Sequence, residues 1–263
     1  MKNSILIFFA ITLSSFFFLD CFMFPESEIA GSFKTEKAKL TTTNDGFAVV
    51  ELFTSEGCSS CPPADELLAK LQSEAGDKNI YLLAYHVDYW DRLGWKDQFS
   101  SNEFTKRQQK YQDWLNLYVM YTPQFIINGT TEFAGYNESA LNEKVSAALD
   151  AKTTANLDLT AKTSKDSLSI YYTSNLLQKD VNLVVATIQK QAISKVFRGE
   201  NQGATLHHVQ IVKQLNSFQL TQKEGNIKIV QPDNFNSKDF EIIGFIQNSV
   251  TGKISISTKT SKI

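Results

Sequence analysis

Cysteine is scarce in this chain. Three occur in 263 residues, and one of them, Cys21, sits beside an apolar leader. So few cannot staple a disulfide scaffold, and a chain of this length buries a core without staples. Histidine is as rare: only His86, His207 and His208 are present. A four-ligand structural zinc site would have to join Cys58 and Cys61 to distant partners. An excess of one charge is missing too, since 26 basic and 28 acidic residues leave a net charge of −2. With no basic stripe to override that balance, nucleic-acid partners are excluded on electrostatic grounds. Sequence repeats are absent between and within the two halves. What is present is 42% hydrophobic and 21% charged residues, the composition of a folded globular protein of two ordinary domains.

The N-terminus predicts export. Lys2 supplies a short basic start, and the run from Ile5 to Leu19 is broken only by Thr12, Ser14 and Ser15. That length suits a signal-peptide core better than a membrane span. Phe18-Leu19-Asp20-Cys21 resembles a relaxed lipobox, which makes Cys21 a lipidation site and anchors the chain to a membrane through its N-terminus. Cleavage near Ala30 and an uncleaved anchor through Phe22–Phe24 are the other two options, with Asp20 costly inside the latter. Each places the remainder in the periplasm or cell envelope. Residues 1–24 are therefore read as a leader and 25–45, polar and without periodicity, as a linker.

From Phe47 the texture becomes regular. Phe47–Phe53 reads as a buried strand, and residues 59–75, with Ala64, Leu67, Leu68 and Leu71, as an amphipathic helix. Asn79–His86 is a second buried strand, and Val87–Phe99 a long aromatic, acidic loop. Residues 102–117 read as a helix capped by Ser101 or Asn102. Tyr121–Gly129 is a short strand closing in an Asn-Gly turn, Thr131–Ala134 its return, and Ser139–Leu149 a last helix. The order is β-α-β-α-β-β-α, ending near residue 150. Beyond Asn156, alternating apolar runs separated by turn signals recur seven or eight times without a helix. The expected fold is α/β plus all-β: one domain over 46–150 and an immunoglobulin-like β-sandwich over 153–263.

The chemistry centres on Cys58-Ser59-Ser60-Cys61, between the first strand and its helix. Two cysteines three apart close a small ring, and a helix N-terminus favours the thiolate of the first. Cys58 would attack a substrate disulfide and Cys61 would resolve the mixed disulfide. Two other readings stand beside this one. The pair is a static disulfide in a cell-envelope binding protein, or it holds copper or zinc together with His86, which ends the second strand where functional groups collect.

Strand, CxxC, helix and a later Thr-Pro opening a hairpin resemble the thioredoxin-like layout. A closer resemblance is to a mostly bacterial secreted family, domain of unknown function 1223. It is carried by Val50–Asp65, His86–Asp97 and Tyr121–Gln124, and further by Gly199–Gly203 and Leu206–His208. The thioredoxin-like resemblance implies a cis bond before Pro123, with Pro123 beside the cysteines and the Thr122 backbone free to take an extended substrate. It also implies a buried carboxylate beneath the pair for proton transfer, a role given to Glu51, although Glu51 precedes Cys58 by seven residues where six are usual. The loop residues Trp90 and Trp95 are candidates for substrate docking or for pinning the loop to the helix behind it. Of His207 and His208 in a strand, one faces inward and is hydrogen-bonded. The expected function is thiol–disulfide exchange with protein thiols and disulfides and a separate redox partner. It needs no bound cofactor beyond the Cys58–Cys61 disulfide.

Overall fold

The computed structural model describes residues 46–260. The leader, the linker and the expected lipidation at Cys21 lie outside the described residues. The first half follows the predicted order: β1 (Ala48–Thr54), α1 (Pro62–Ala75), β2 (Ile80–His86), a 3-10 turn at Asp91–Leu93, α2 (Asn102–Trp114), β3 (Gln124–Ile127), β4 (Thr131–Ala134) and α3 (Glu138–Asp150). β1 is buried at every position and pairs in parallel with β2 and antiparallel with β3. Its apolar residues therefore face two layers, as a strand covered on both sides requires. Ala48, Val50 and Leu52 pack with Leu67, Leu68 and Leu71 of α1 and Leu141 and Val145 of α3. Val49 and Phe53 pack on the other face with Tyr85, Phe104 and Tyr111. Each fully buried leucine of α1 contributes roughly 1.5–3 kcal/mol, enough to seat the helix that starts at the cysteines.

Seven strands follow: β5 (Leu157–Ser164), β6 (Ser167–Ser174), β7 (Val181–Lys195), β8 (Thr205–Gln219), β9 (Glu224–Val230), β10 (Phe240–Asn248) and β11 (Ile254–Lys259). They do not form a separate sandwich. One mixed sheet runs β11-β10-β7-β8-β2-β1-β3-β4, and only β5, β6 and β9 make a second sheet. β8 joins the halves by pairing with β2 at Ala84 and Ile211. The expected fold class, a thioredoxin-like domain followed by an immunoglobulin-like β-sandwich, is thereby overturned. The described residues are a mostly β structure within one compact unit.

The physical reason lies in β7. Its stretch Val181–Ile188 is apolar on both faces. Leu183 and Val185 pack with Leu168, Ile170 and Ile242, whereas Val184, Ala186 and Ile188 join Phe53, Tyr85 and Tyr111. A sandwich strand would show one face to water. This one is covered twice, and so it belongs in the middle of a sheet. β7 and β8 are also 15 residues each, about 50 Å at full extension. That length carries their turn-proximal ends to the cysteines.

Candidate functional site

Cys58 and Cys61 form a disulfide, with Cα atoms 5.4 Å apart. Both are fully buried, although Ser59 and Ser60 between them are exposed. The turn is held by the Cys58 amide donating to the Ser55 carbonyl and the Cys61 amide donating to that of Cys58, each at 3.2 Å. Helix α1 begins one residue beyond the pair, with Cys61 in the N-cap position. Cys58 therefore lies outside the cap, and the first-turn amides do not point at it. Pro62 and Pro63 have no N–H to offer, and the amides of Ala64 and Asp65 both donate to the Cys61 carbonyl. The donor in reach of Cys58 Sγ is instead the Ser60 hydroxyl, at 3.4 Å.

The Thr122–Pro123 bond is cis. The Thr122 carbonyl oxygen lies 3.8 Å from Cys58 Sγ, and Trp90 Nε1 donates to Thr122 Oγ1 at 2.8 Å. Trp90 thus fixes the Thr122–Pro123 corner over the disulfide. Its Cβ would also stand 3.2 Å from any Cβ added at Gly57, so a side chain there would press on Trp90.

Glu51 is not part of this group. It is fully buried, but it lies on the face of β1 turned away from α1, where it pairs with Arg107 of α2. Arg107 Nε donates to Glu51 Oε2 at 3.2 Å. The guanidinium also reaches Gln247 and the Tyr111 hydroxyl and lies over the rings of Tyr85, Tyr111 and Phe245. The alternation of the strand sends position 51 to the wrong side for a relay to the cysteines.

The carboxylate on the cysteine side is Asp65, one turn into α1 from Cys61 and 8% exposed. It accepts from the Thr54 hydroxyl at 3.1 Å. Burial pushes its carboxyl up to about 6, with His86 and His208 pulling the other way. Those two histidines form a buried pair, their rings 5.0 Å apart. His86 Nδ1 lies 2.6 Å from Asp97 Oδ2, and the same carboxylate oxygen accepts the Glu56 amide at 2.9 Å. Burial acts against a charged His86, yet Asp97, Asp65 and Glu56 outweigh it and its pKa is raised. Asp97 is lowered in turn: burial opposes its charge, and His86 with two backbone amides overcomes that.

Glu56, two residues before Cys58, is the hub of the second histidine. It accepts from Trp95 Nε1 at 2.7 Å and from the Ser194 hydroxyl. Ser194 Oγ is also 2.8 Å from His208 Nε2. The single hydroxyl hydrogen goes to Glu56, so Nε2 of His208 carries the hydrogen in that bond. Burial pushes the Glu56 carboxyl up, but His208, Ser194 and Trp95 hold it below the usual range, against Asp97. The ring atoms turned the other way, His86 Nε2 and His208 Nδ1, are buried without a protein partner.

The turn between β7 and β8 closes the site. Asn201 Nδ2 donates to the carbonyl oxygens of Glu56 and Cys58, both at 2.9 Å. Glu200 Oε2 accepts the Ser59 amide at 3.0 Å. Gly199 turns at φ +78° against the Trp95 side chain, where a Cβ would approach within 3.3 Å.

Of the residues singled out from sequence, Cys58, Cys61, Thr122, Pro123 and Trp90 meet at the disulfide, and Trp95 reaches it through Glu56. Glu51 stands apart. His86 joins the acid–base cluster rather than the sulfurs. Among the described residues no group of three or more His, Cys, Asp or Glu side chains is placed to hold a metal ion, so the set Cys58, Cys61 and His86 is not assembled as one. Missed were Glu56, Asp65, Ser194, Glu200 and Asn201. The signal was available: the Gly199–Gly203 and Leu206–His208 runs lie far from the cysteines in sequence, and both are now seen against them. Two cavities of about 690 and 820 Å³ open elsewhere and include no residue of this cluster.

One solved structure shares this architecture. The crystal structure of an Agrobacterium tumefaciens protein superposes with a TM-score of 0.61 at 27% identity, covering 81% of this chain and 93% of that one. A domain of the outer membrane lipoprotein Omp28 from Porphyromonas gingivalis matches at a TM-score of 0.28 and 11% identity, over 41% of this chain and 87% of its own. No curated protein matches the sequence. The family model described as a protein of unknown function, DUF1223, matches residues 49–247, and the chain belongs to that family.

Proposed function

We propose that the chain is a thiol–disulfide oxidoreductase that acts on protein disulfides through Cys58 and Cys61. The observation that carries the reading is the surroundings of the pair: a cystine at the start of a helix, under the Thr122 carbonyl and backed by buried acids and histidines. In the reducing direction the Cys58 thiolate attacks a substrate disulfide. The Cys58–substrate bond forms, the substrate S–S bond breaks, and the departing sulfur takes a proton. Cys61 then loses its proton to Asp65 and attacks Cys58 Sγ, which frees the second substrate thiol and closes the Cys58–Cys61 bond. Two electrons pass to the substrate, and a dithiol donor restores the pair. With a disulfide donor as partner the same steps run backwards.

Asp65 takes the proton role expected of Glu51, because it is buried on α1 one turn beyond Cys61. A carboxyl held near 6 exchanges protons close to neutral pH. The burial of both sulfurs sets one condition on the mechanism: the groups covering Cys58 have to move before a partner sulfur reaches it.

Trapping tests the proposal. The Cys61→Ser variant, reduced and mixed with a disulfide-bonded protein such as insulin, is expected to accumulate a mixed disulfide through Cys58, and Cys58→Ser is expected not to. Absence of the adduct in Cys61→Ser, with Cys58 free and the fold intact, overturns the reading.

A further inference from the structure

β10 accompanies β7 only as far as Gln189, which stands opposite Phe240. Lys190 still donates its amide to Asp239, and the Gln189 side chain reaches the Gln191 carbonyl. From Ala192 to Lys195, β7 has β8 on one side and, among the described residues, no strand on the other. A free strand edge is a template for an incoming extended chain.

The side chains around that edge are unusual for a surface. Ile193, Lys195 and Phe197 alternate with buried Ser194 and Val196 and so point away from the histidine cluster. Ile193 is 66% and Phe197 62% exposed, and Leu93 is 52% exposed. The Trp95 ring lies 5.9 Å from that of Phe197, and both Leu93 and Trp95 border Gly199. Single exposed apolar residues are ordinary, but several beside one free edge mark a partner surface.

Charge indicates which partner. Arg92, Lys96, Lys195 and Arg198 are exposed here, with Lys195 Nζ 5.8 Å over the Phe197 ring. Asp91 and Glu200 keep their charge while accepting from Ser100 and Ser59, but the four cations outnumber them, and the buried Asp97 is paired with His86. In a chain of net charge −2 this is a local cationic rim. The patch is tied to the disulfide, since Trp95 donates to Glu56 and Asn201 to the Cys58 carbonyl.

We propose that this surface docks an extended acidic segment of a partner polypeptide. The segment lies as an added strand along Ala192–Lys195 and sets a large apolar side chain against Phe197 and Trp95. Delivery of a partner cysteine to Cys58 rests on the exchange reading; the docking itself does not.

The test uses the oxidised protein and a fluorescein-labelled, cysteine-free decapeptide with glutamates around a central phenylalanine, alongside its lysine counterpart. Fluorescence anisotropy is expected to show the acidic peptide binding at least about tenfold more tightly, with the difference shrinking in salt. Phe197→Ser combined with Lys195→Glu is expected to lose about tenfold in affinity. Arg198→Glu alone is expected to weaken binding in the same direction, which keeps the test open if the double variant misfolds. Equal or absent binding of the two peptides, or affinity unchanged in the folded variants, overturns the proposal. Reduction of insulin by dithiothreitol in the presence of catalytic amounts of the protein, measured in parallel, separates the two ideas. Turnover without peptide binding sinks the docking surface alone, and peptide binding without turnover sinks the exchange chemistry alone.

Discussion

Replacing Asp65 by Asn isolates the buried carboxyl one turn beyond Cys61. In the folded chain burial raises that group from an ordinary 3.8 to about 6. A raised carboxyl favours the protonated form in the native state, so its contribution is fully present below about pH 4 and is lost as pH rises through about 6. The gap of ~2.2 pH units is worth about 3 kcal/mol at 1.36 kcal/mol per unit. Asparagine keeps an oxygen to accept the Thr54 hydroxyl but cannot ionise. The variant is therefore expected to match the wild type near pH 4 and to exceed it by up to about 3 kcal/mol above pH 6. Some of that gain is offset, because His86 and His208 face Asp65 and lose a favourable neighbour. Urea unfolding of the disulfide form at pH 4, 5, 6, 7 and 8 measures the difference. A variant less stable than wild type at pH 7, or a difference flat across the range, would refute the assignment of Asp65 as a carboxyl held up by burial.

Three further outcomes follow from the same geometry. Arg107→Met leaves Glu51 buried and unpaired and should cost about 3–5 kcal/mol, most of it recovered with Glu51→Leu added; if Glu51 takes no part in the redox chemistry, the double variant keeps the wild-type reduction potential within about 10 mV. Ser60→Ala removes the hydroxyl beside Cys58 Sγ and should shift the alkylation–pH curve of the reduced protein upward by about one pH unit, since a hydrogen bond to a charged group is worth about 1.5 kcal/mol; an unmoved curve removes Ser60 from the mechanism. Glu200→Ala frees the Ser59 amide and should speed reduction of the disulfide by dithiothreitol several-fold without lowering thermal stability, whereas an unchanged rate shows that the β7–β8 turn does not limit access.

Local order in this chain is legible because the signals are local. The apolar run of β1, the spacing of Leu67, Leu68 and Leu71, the Ser101 cap and the Asn-Gly turn each act over a few residues, and the elements they announce are present. The architecture is not local. Val181–Ile188 reads as any apolar strand until both its faces are seen to be covered. The polar continuation of β7, which carries Ser194, lies past the apolar run that announces the strand, because its polarity serves a buried hydrogen-bond cluster rather than water. Glu51 misled because a strand pattern shows that a charge is buried but not which layer it faces. Asp65 was overlooked because an acid in the first turn of a helix has an ordinary reason to be there, the helix dipole. Its burial, 8% exposed, is what sets it apart.

The central claim is that Cys58 and Cys61 turn over. Titrating the pair against glutathione and dithiothreitol with metal removed tests it most directly. The account predicts a potential between about −120 and −270 mV, the range of exchange catalysts. A potential below about −300 mV, that of a structural disulfide, would contradict it.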